Sequence, residues 1–171
     1  MEVIGDDAFS NCSSLPSITI PESVISIGYG AFRGCSFLQE ITIPFVGSSK
    51  SATIASSSTL FGCIFGTNSY TGGTATKQYY SSSNYITYYI PTSLKTVTVT
   101  DGNLLFGSFS YCCGLTSIII ADSVTSIGKY AFLGCSSLIS ITIGNRETCS
   151  WGITKTNPNQ INTSAMTASS F

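Results

Sequence analysis

The fold of this chain is decided by the stretch IGDDAFSNCSSLPSITIPESV at residues 4–24. A second copy, IGYGAFRGCSFLQEITIPFVG, begins at Ile27 and keeps the Ala-Phe, Cys, Leu and Ile-x-Ile positions in register. Two more copies stand near the other end, where Phe109 and Phe132 take the place of Phe9. A fixed period of this size is the signature of a solenoid, in which each copy forms one coil and stacks on the next.

Each copy divides into a strand, a turn and a short helical turn. The stretch Leu15 to Ile20 ends in alternating apolar and polar residues, and this period of two with β-branched residues predicts a short strand. Pro21-Glu22-Ser23 predicts a turn, and Val24 to Ile27 a second extended piece. One face of a helical turn is predicted for Ala8, Phe9, Cys12 and Leu15. Equivalent strands are predicted at Leu38 to Ile43, Leu94 to Val99, Leu115 to Ile120 and Leu138 to Ile143.

Like residues of successive coils are expected to lie over one another, about 5 Å apart as adjacent strands do. Phe9, Phe32, Phe109 and Phe132 then form an internal aromatic file. The burial of this file explains why one coil cannot fold alone, because each coil covers the apolar face of its neighbour.

Four of the seven cysteines share one repeat position, which favours a file of packed, reduced thiols over disulfides. These four are Cys12, Cys35, Cys112 and Cys135. Cys113 is adjacent to this file, and Cys63 and Cys149 are out of register. The sequence leaves open the redox state of Cys112, Cys113, Cys63 and Cys149.

The repeat is interrupted between Ile43 and Leu94. Leu60 and Phe65 keep the spacing of Ile4 and Phe9, which predicts one coil carrying insertions at 47–59 and 66–93. Insertions of this kind map to loops on one face of a solenoid and often to binding. Turn residues between β-forming stretches predict a small hairpin or meander that projects from the second insertion.

Six of the nine tyrosines lie in the second insertion and are the candidate partner-binding residues. Two interpretations stay open for them: packing of the insertion onto the coil beneath, or contact with a protein or glycan, for which tyrosine is well suited. Adjacent tyrosines in a strand are expected to point to opposite faces. The six residues are Tyr70, Tyr79, Tyr80, Tyr85, Tyr88 and Tyr89.

Composition argues against several classes of function. Charged residues make up 9% of the chain and the net charge is -1, so no basic surface for nucleic acid or anionic membrane is expected. No apolar run is long enough to predict membrane insertion. The chain has no histidine and no Cys-x-x-Cys pair, which argues against a zinc site. With no base, nucleophile or carboxylate pair in a recognisable pattern, we expect no catalytic residues, no cofactor and no enzymatic activity.

The motif Ile-Gly-x-x-Ala-Phe-x-x-Cys-x-x-Leu-x-x-Ile-x-Ile-Pro-x-Ser-Val resembles the BspA-like class of leucine-rich repeats, over residues 1–46 and 94–144. The resemblance implies a leucine-rich-repeat solenoid with short parallel strands on one face. It also implies a cell-surface or secreted protein, since some members of the class bind matrix proteins or promote adhesion. The third full copy departs from the motif, with Leu104-Leu105 where Ile-Gly is expected.

We therefore predict one solenoid over 1–144 and a C-terminal cap or tail over 145–171. Its repeats are predicted at about 4–26, 27–46, 60–103 (interrupted), 104–126 and 127–144. Because Met1 leads directly into a repeat, the chain is expected to start without a capping unit, either as a segment of a larger surface protein or as a product trimmed at its start.

Two functional hypotheses remain. The first is a non-catalytic adhesion or recognition module that binds a host or bacterial surface protein or glycan. The second is a structural spacer with no ligand of its own. End-to-end self-association through open strand edges is a further expectation.

Overall fold

The computed structural model of the chain describes residues 1–144 and the backbone of residues 166–167. The predictions made for Cys149 and for the rest of a C-terminal cap or tail lie outside the described residues. The strands are β1 (Glu2–Ile4), β2 (Ser17–Thr19), β3 (Val24–Ile27), β4 (Glu40–Ile43), β5 (Gly73–Tyr79), β6 (Tyr85–Pro91), β7 (Thr96–Val99), β8 (Ser117–Ile120), β9 (Ser126–Ile127), β10 (Ser140–Ile143) and β11 (Met166–Thr167), and two 3-10 helices cover Ser57–Thr59 and Phe61–Ile64.

The predicted solenoid is confirmed by the main sheet, whose five strands run parallel in the order β10-β8-β7-β4-β2. Ser17 pairs with Glu40 and Ser117 with Ser140, so partners in these coils stand one 23-residue repeat apart. The inward residues of the strands form a buried core. The outward residues are mostly hydroxyl-bearing, and one register file of them reads Thr19, Thr42, Thr98, Ile119 and Thr142.

The segment predicted as a helical turn folds as a chain of tight turns, for a reason visible in its hydrogen bonds. The amide of Phe9 donates to Ala31 in the next coil at 2.7 Å, and that of Asn11 donates to Arg33 at 2.6 Å. The amide of Cys12, in contrast, donates within its own coil to Phe9 at 3.2 Å. An α-helix needs successive amides to bond within one segment. Here alternate amides bond to the neighbouring coil, so no α-helix forms.

The predicted aromatic file is present and continues through the interrupted coil. The rings of Phe9 and Phe32 stack with centroids 5.2 Å apart, and those of Phe109 and Phe132 lie 5.9 Å apart. Phe61 of the second 3-10 helix and Phe65, which follows this helix, complete the file, since Phe65 contacts Phe32 at 6.4 Å. Its neighbour one turn earlier, Phe61, contacts Phe109 at 4.9 Å and Phe65 at 5.3 Å. The aromatic core is therefore continuous.

The interrupted coil keeps the sheet intact because β4 pairs directly with β7, Ile43 lying opposite Val99. The first insertion folds back along β3, where Ser49 forms an antiparallel bridge with Ser26. Its Lys50 ammonium contacts the Asp101 carboxylate at 2.6 Å and so ties this insertion to the following coil. The hydrogen bond from Lys50 is the main reason that the pKa of Asp101 is lowered.

Candidate functional site

The second insertion forms an antiparallel hairpin of β5 and β6, with Tyr79 opposite Tyr85 and Lys77 opposite Thr87. It was predicted to project from the solenoid, but the structure places it against the coil. The reason is that its inner face carries residues that the interrupted coil needs, above all Gln78 and Tyr88, which are 0% and 1% exposed.

Gln78 supplies hydrogen bonds to the interior of the interrupted coil. Its Oε1 accepts from the amide of Gly62 at 2.6 Å, and its Nε2 donates to the carbonyl of Ser108 at 3.3 Å and to Cys112 Sγ at 3.4 Å. A buried amide or carbonyl without such a partner costs stability. The hairpin thus satisfies backbone groups that a regular coil would satisfy by itself.

Tyr88 anchors β6, the second strand of the hairpin, through its inner face. Its ring packs with buried Leu60 and Cys63, and half-buried Tyr80 adjoins the same cluster. Its hydroxyl donates to the carbonyl of Ser57 at 2.7 Å. Burial raises the pKa of the Tyr88 hydroxyl above its usual range. The ring of Tyr88 also lies against Gly62, where any side chain would collide with it.

The outer face of the hairpin exposes aromatic rings and one cation. The rings of Tyr79 and Tyr85 lie 5.4 Å apart, and Tyr79 contacts Tyr111 of the solenoid at 5.6 Å. The Lys77 ammonium lies 3.7 Å from the centroid of the Tyr85 ring, within the range of a cation–π interaction. A hydrogen bond to Tyr79 is the largest cause of a raised pKa at Lys77. We call Lys77, Tyr79, Tyr85 and Tyr111 the tyrosine patch.

Tyr111 has an unusual backbone conformation. Its φ of 56° lies in the left-handed region, which bulky residues rarely adopt. The equivalent residues of other coils are Asn11, Gly34 and Gly134, with φ of 62°, 76° and 71°. These are types that accept this conformation readily. The ring of Tyr111 lies over Gly134, where an added Cβ would come within 2.6 Å of it. Tyr130 shares this conformation, with a φ of 61°, so two tyrosines of the described residues carry this backbone strain.

The six predicted tyrosines divide between the two interpretations. Adjacent tyrosines point to opposite faces as predicted: Tyr88 and Tyr80 pack inward, while Tyr89 and Tyr79 stand on the outer face of the hairpin. Tyr85 is 50% exposed and is the most accessible of the six. Tyr70 is half-buried, and its hydroxyl donates to the carbonyl of Tyr89 at 3.0 Å.

Two members of the tyrosine patch were missed by the sequence analysis. Lys77 belongs to the predicted hairpin but was not singled out, although its spacing of two residues from Tyr79 puts both on one face of a strand. Tyr111 lies outside the insertion. A signal for it existed in the repeat, since a bulky residue stands where Asn11, Gly34 and Gly134 stand in other copies.

The thiols of the cysteine file are separate from the tyrosine patch and are unpaired within the described chain. Cys35 and Cys135 are buried, and their Sγ atoms donate to the carbonyls of Phe9 and Phe109 at 3.2 and 3.1 Å. Burial raises the pKa of Cys35 to about 11 and that of Cys135 to about 12. Cys12 and Cys113 are exposed. Thiols with raised pKa in apolar surroundings are inert packing groups.

Two absences among the described residues concern metal binding and membrane spanning. No cluster of three or more histidine, cysteine or acidic residues in this part of the chain could hold a metal ion. Nor does this part contain a helix with the length and apolar character needed to cross a membrane.

Comparison with known proteins gives the family. A family model described as BspA type leucine rich repeat region matches in 6 copies, over residues 1–99 and 103–152. Among solved structures, the chain is similar to a leucine rich cell surface protein from Faecalibacterium prausnitzii A2-165, with 25% identity and a TM-score of 0.29. That match covers 83% of this chain and 33% of the length of the other. No curated protein matches. The chain belongs to the BspA-type leucine-rich repeat family.

Proposed function

We propose that this chain is a non-catalytic recognition module that contributes to adhesion at a cell surface. Its family supports this role, since the resemblance implies surface-exposed or secreted proteins, some of which bind matrix proteins. The partner is a surface protein or glycan of a host or of another bacterium. The solenoid acts as a rigid scaffold, and the tyrosine patch is the contact surface.

The observation that carries this proposal is the two-sided construction of the hairpin. Its inner face is fixed by Gln78 and Tyr88, so the outer face is held rigid without a contribution from the exposed rings. Rigid aromatic side chains lose little entropy when they bind a partner, which makes them effective anchors. The left-handed Tyr111 adds to this argument, because selection for stability alone favours asparagine or glycine at its position.

Binding of the isolated chain to immobilised matrix proteins, mucosal glycans and cells tests the proposal. Tyr85→Ser and Tyr111→Asn are expected to weaken binding at least about tenfold, as loss of an aromatic anchor does at other interfaces. Ile119→Ser is the matched control, since it removes an exposed apolar residue from the sheet face. Unchanged binding by both tyrosine variants contradicts the assignment of the contact surface.

The variant Tyr111→Asn distinguishes recognition from packing. If Tyr111 serves binding, its replacement by the residue type found at Asn11 relieves strain, and the melting temperature stays equal or rises while binding falls. If Tyr111 serves packing, stability and binding fall together. Deletion of residues 67–90 is a poorer test, because it also removes the buried Gln78 and Tyr88.

The second candidate function is a structural spacer, favoured by the continuous aromatic file and the unbroken five-stranded sheet. In that case the wild-type chain binds none of these surfaces. If removing this chain also leaves cell adhesion unchanged, the chain acts as a spacer.

A further inference from the structure

Among the described residues, the Lys77 ammonium has aromatic neighbours and takes part in no ion pair. Its Nζ lies 3.7 Å from the ring centroid of Tyr85 and 5.5 Å from that of Tyr79. The ion pairs within the described residues are Arg33–Asp7 and Lys50–Asp101, and Lys77 takes part in neither. The positive charge of the tyrosine patch is therefore not neutralised by an acidic side chain in this part of the chain.

This charge is also held in place. An ammonium above an aromatic ring is attracted by the negative face of the ring, so the conformation of the Lys77 side chain is restricted. Position 77 alternates with the buried Thr76 and Gln78, which fix the strand below it. The patch thus presents one positioned cation beside the ring of Tyr79, which in turn contacts the ring of Tyr111.

The hairpin beside the patch adds polar groups that carry no charge. The hairpin turn beside Tyr85 exposes Ser82, Ser83 and Asn84, whose hydroxyl and amide groups can donate and accept hydrogen bonds. Thr87 lies opposite Lys77 on β6. Flat aromatic faces, neutral hydrogen-bonding groups and one cation together match a small polyhydroxylated ligand that carries one negative charge.

Resting on the proposed recognition function, we propose that the tyrosine patch binds a carboxylated sugar unit of a surface glycan. The apolar face of the sugar ring packs on Tyr79 or Tyr111, and its carboxylate pairs with Lys77. A neutral sugar leaves the fixed charge without a counter-ion. A stable protein interface takes roughly 20–30 residues on each side, far more than this patch offers, so we favour a sugar over an acidic protein surface.

The test uses the purified chain and an array of oligosaccharides that end in a sialic or uronic acid, each beside its methyl ester and its neutral parent. The carboxylated glycans are expected to bind at least about tenfold more tightly than their esters, since a charge-assisted hydrogen bond is lost on esterification. This preference is expected to fall as salt rises, because the pair is exposed to solvent.

Two lysine variants assign the preference to its residue. Lys77→Gln removes the charge but keeps a polar side chain, and it is expected to weaken binding of carboxylated glycans about ten- to a hundredfold. Lys129→Gln is the matched control, because Lys129 also lies over a tyrosine, 4.8 Å from the ring centroid of Tyr130, but belongs to the solenoid and not to the hairpin. Binding by Lys129→Gln is expected to equal that of the wild type, and the melting temperature of both variants is expected to stay unchanged.

Several results overturn this inference. Equal binding of acid and ester, binding by Lys77→Gln that equals wild type, or a preference for acidic peptides over the glycans each does so. If the chain adheres to cells through Tyr85 and Tyr111 while no carboxylated glycan binds, the sugar proposal fails and the recognition function stands. If no surface and no glycan binds, both fail.

Discussion

The ring of Phe9 lies parallel to that of Phe32, with an angle of 1° between their planes. One repeat thus places its phenylalanine directly over the next, and Phe32 is 0% exposed as a result. We predict that Phe32→Ala and Phe132→Ala each lower the free energy of unfolding by about 3–5 kcal/mol, through lost burial and the cavity left behind. Urea denaturation measures this. Phe37→Ala, at a position 65% exposed, is the control and is expected to change little. A loss under about 1 kcal/mol for both buried residues contradicts their role.

Gln78 is predicted to be a structural residue even though it belongs to an insertion. Gln78→Leu keeps the volume of the side chain but leaves the buried amide of Gly62 without its acceptor. We expect a loss of about 1–3 kcal/mol in the free energy of unfolding. The exposed Gln39→Leu serves as the matched substitution and should stay within about 0.5 kcal/mol of wild type. Equal effects of the two changes count against the bonding role of Gln78.

The Ile-Gly pair of the repeat has a steric cause that yields a paired prediction. A Cβ at Gly28 would come within 2.3 Å of the backbone of Gly5 and Asp6, whereas a Cβ at Gly5 meets nothing within 4 Å. Gly28→Ala is therefore expected to destabilise the fold by at least about 1–3 kcal/mol, as overpacking does. Gly5→Ala is expected to be neutral or slightly stabilising. Thermal melts of the two variants decide, and equal melting temperatures refute the steric argument.

Burial predicts which thiols react in the folded protein. With iodoacetamide at pH 8, Cys12 and Cys113 are expected to be alkylated, since both are exposed. The buried thiols are expected to react only after denaturation, because burial blocks access and raises their pKa, to about 11 for Cys35 and Cys63. Peptide mapping by mass spectrometry reads out each site. Rapid labelling of native Cys35 shows that its coil is not packed as described.

The same thiols predict a loss of stability at high pH. The ordinary thiol pKa is 9.0, and burial raises it to about 12 in Cys135. As the pH rises above 9, unfolded thiols lose protons that folded thiols keep, so unfolding becomes more favourable up to the folded pKa values. The free energy of unfolding is therefore expected to fall from pH 9 to about 12. Cys135→Ala is expected to reduce the pH slope of this fall.

The parts of the fold that obey the repeat pattern were predictable from sequence, because each repeat position occurs in several copies. The inward places of Phe32 and Ile41 and the parallel strands follow from period and register alone. The hairpin was predictable as a hairpin, from its turn residues and its β-forming stretches. Its seating against the coil was not, since that depends on one buried polar side chain, Gln78, whose partners Gly62 and Ser108 are distant in sequence.

The tyrosine patch was likewise predictable from sequence only in part. Alternation along a strand separates Tyr88 from Tyr89, and this much is visible in the sequence. The meeting of Tyr79 with Tyr111 depends on how the hairpin lies across the coil, which no local pattern encodes. Tyr111 was instead detectable as an exception to the repeat at a position that favours glycine or asparagine.

The alternation of amide bonds between coils restricts where this rod tolerates length variation. The steps from Phe to Cys to Leu are identical in the copies that begin at Phe9, Phe32, Phe109 and Phe132, and in all four the Cys amide donates to the Phe carbonyl and the Leu amide to the Cys carbonyl. The coil between the paired residues Thr96 and Ser117 is two residues shorter than the 23-residue coils. The two missing residues fall between Val99 and Leu104, just after strand β7. That corner is the natural place for grafted epitopes or affinity tags. An insertion beside Phe32 or Phe132 instead interrupts these bonds, as the one after Phe65 does, where Gln78 of the hairpin supplies bonds to Gly62 and Ser108.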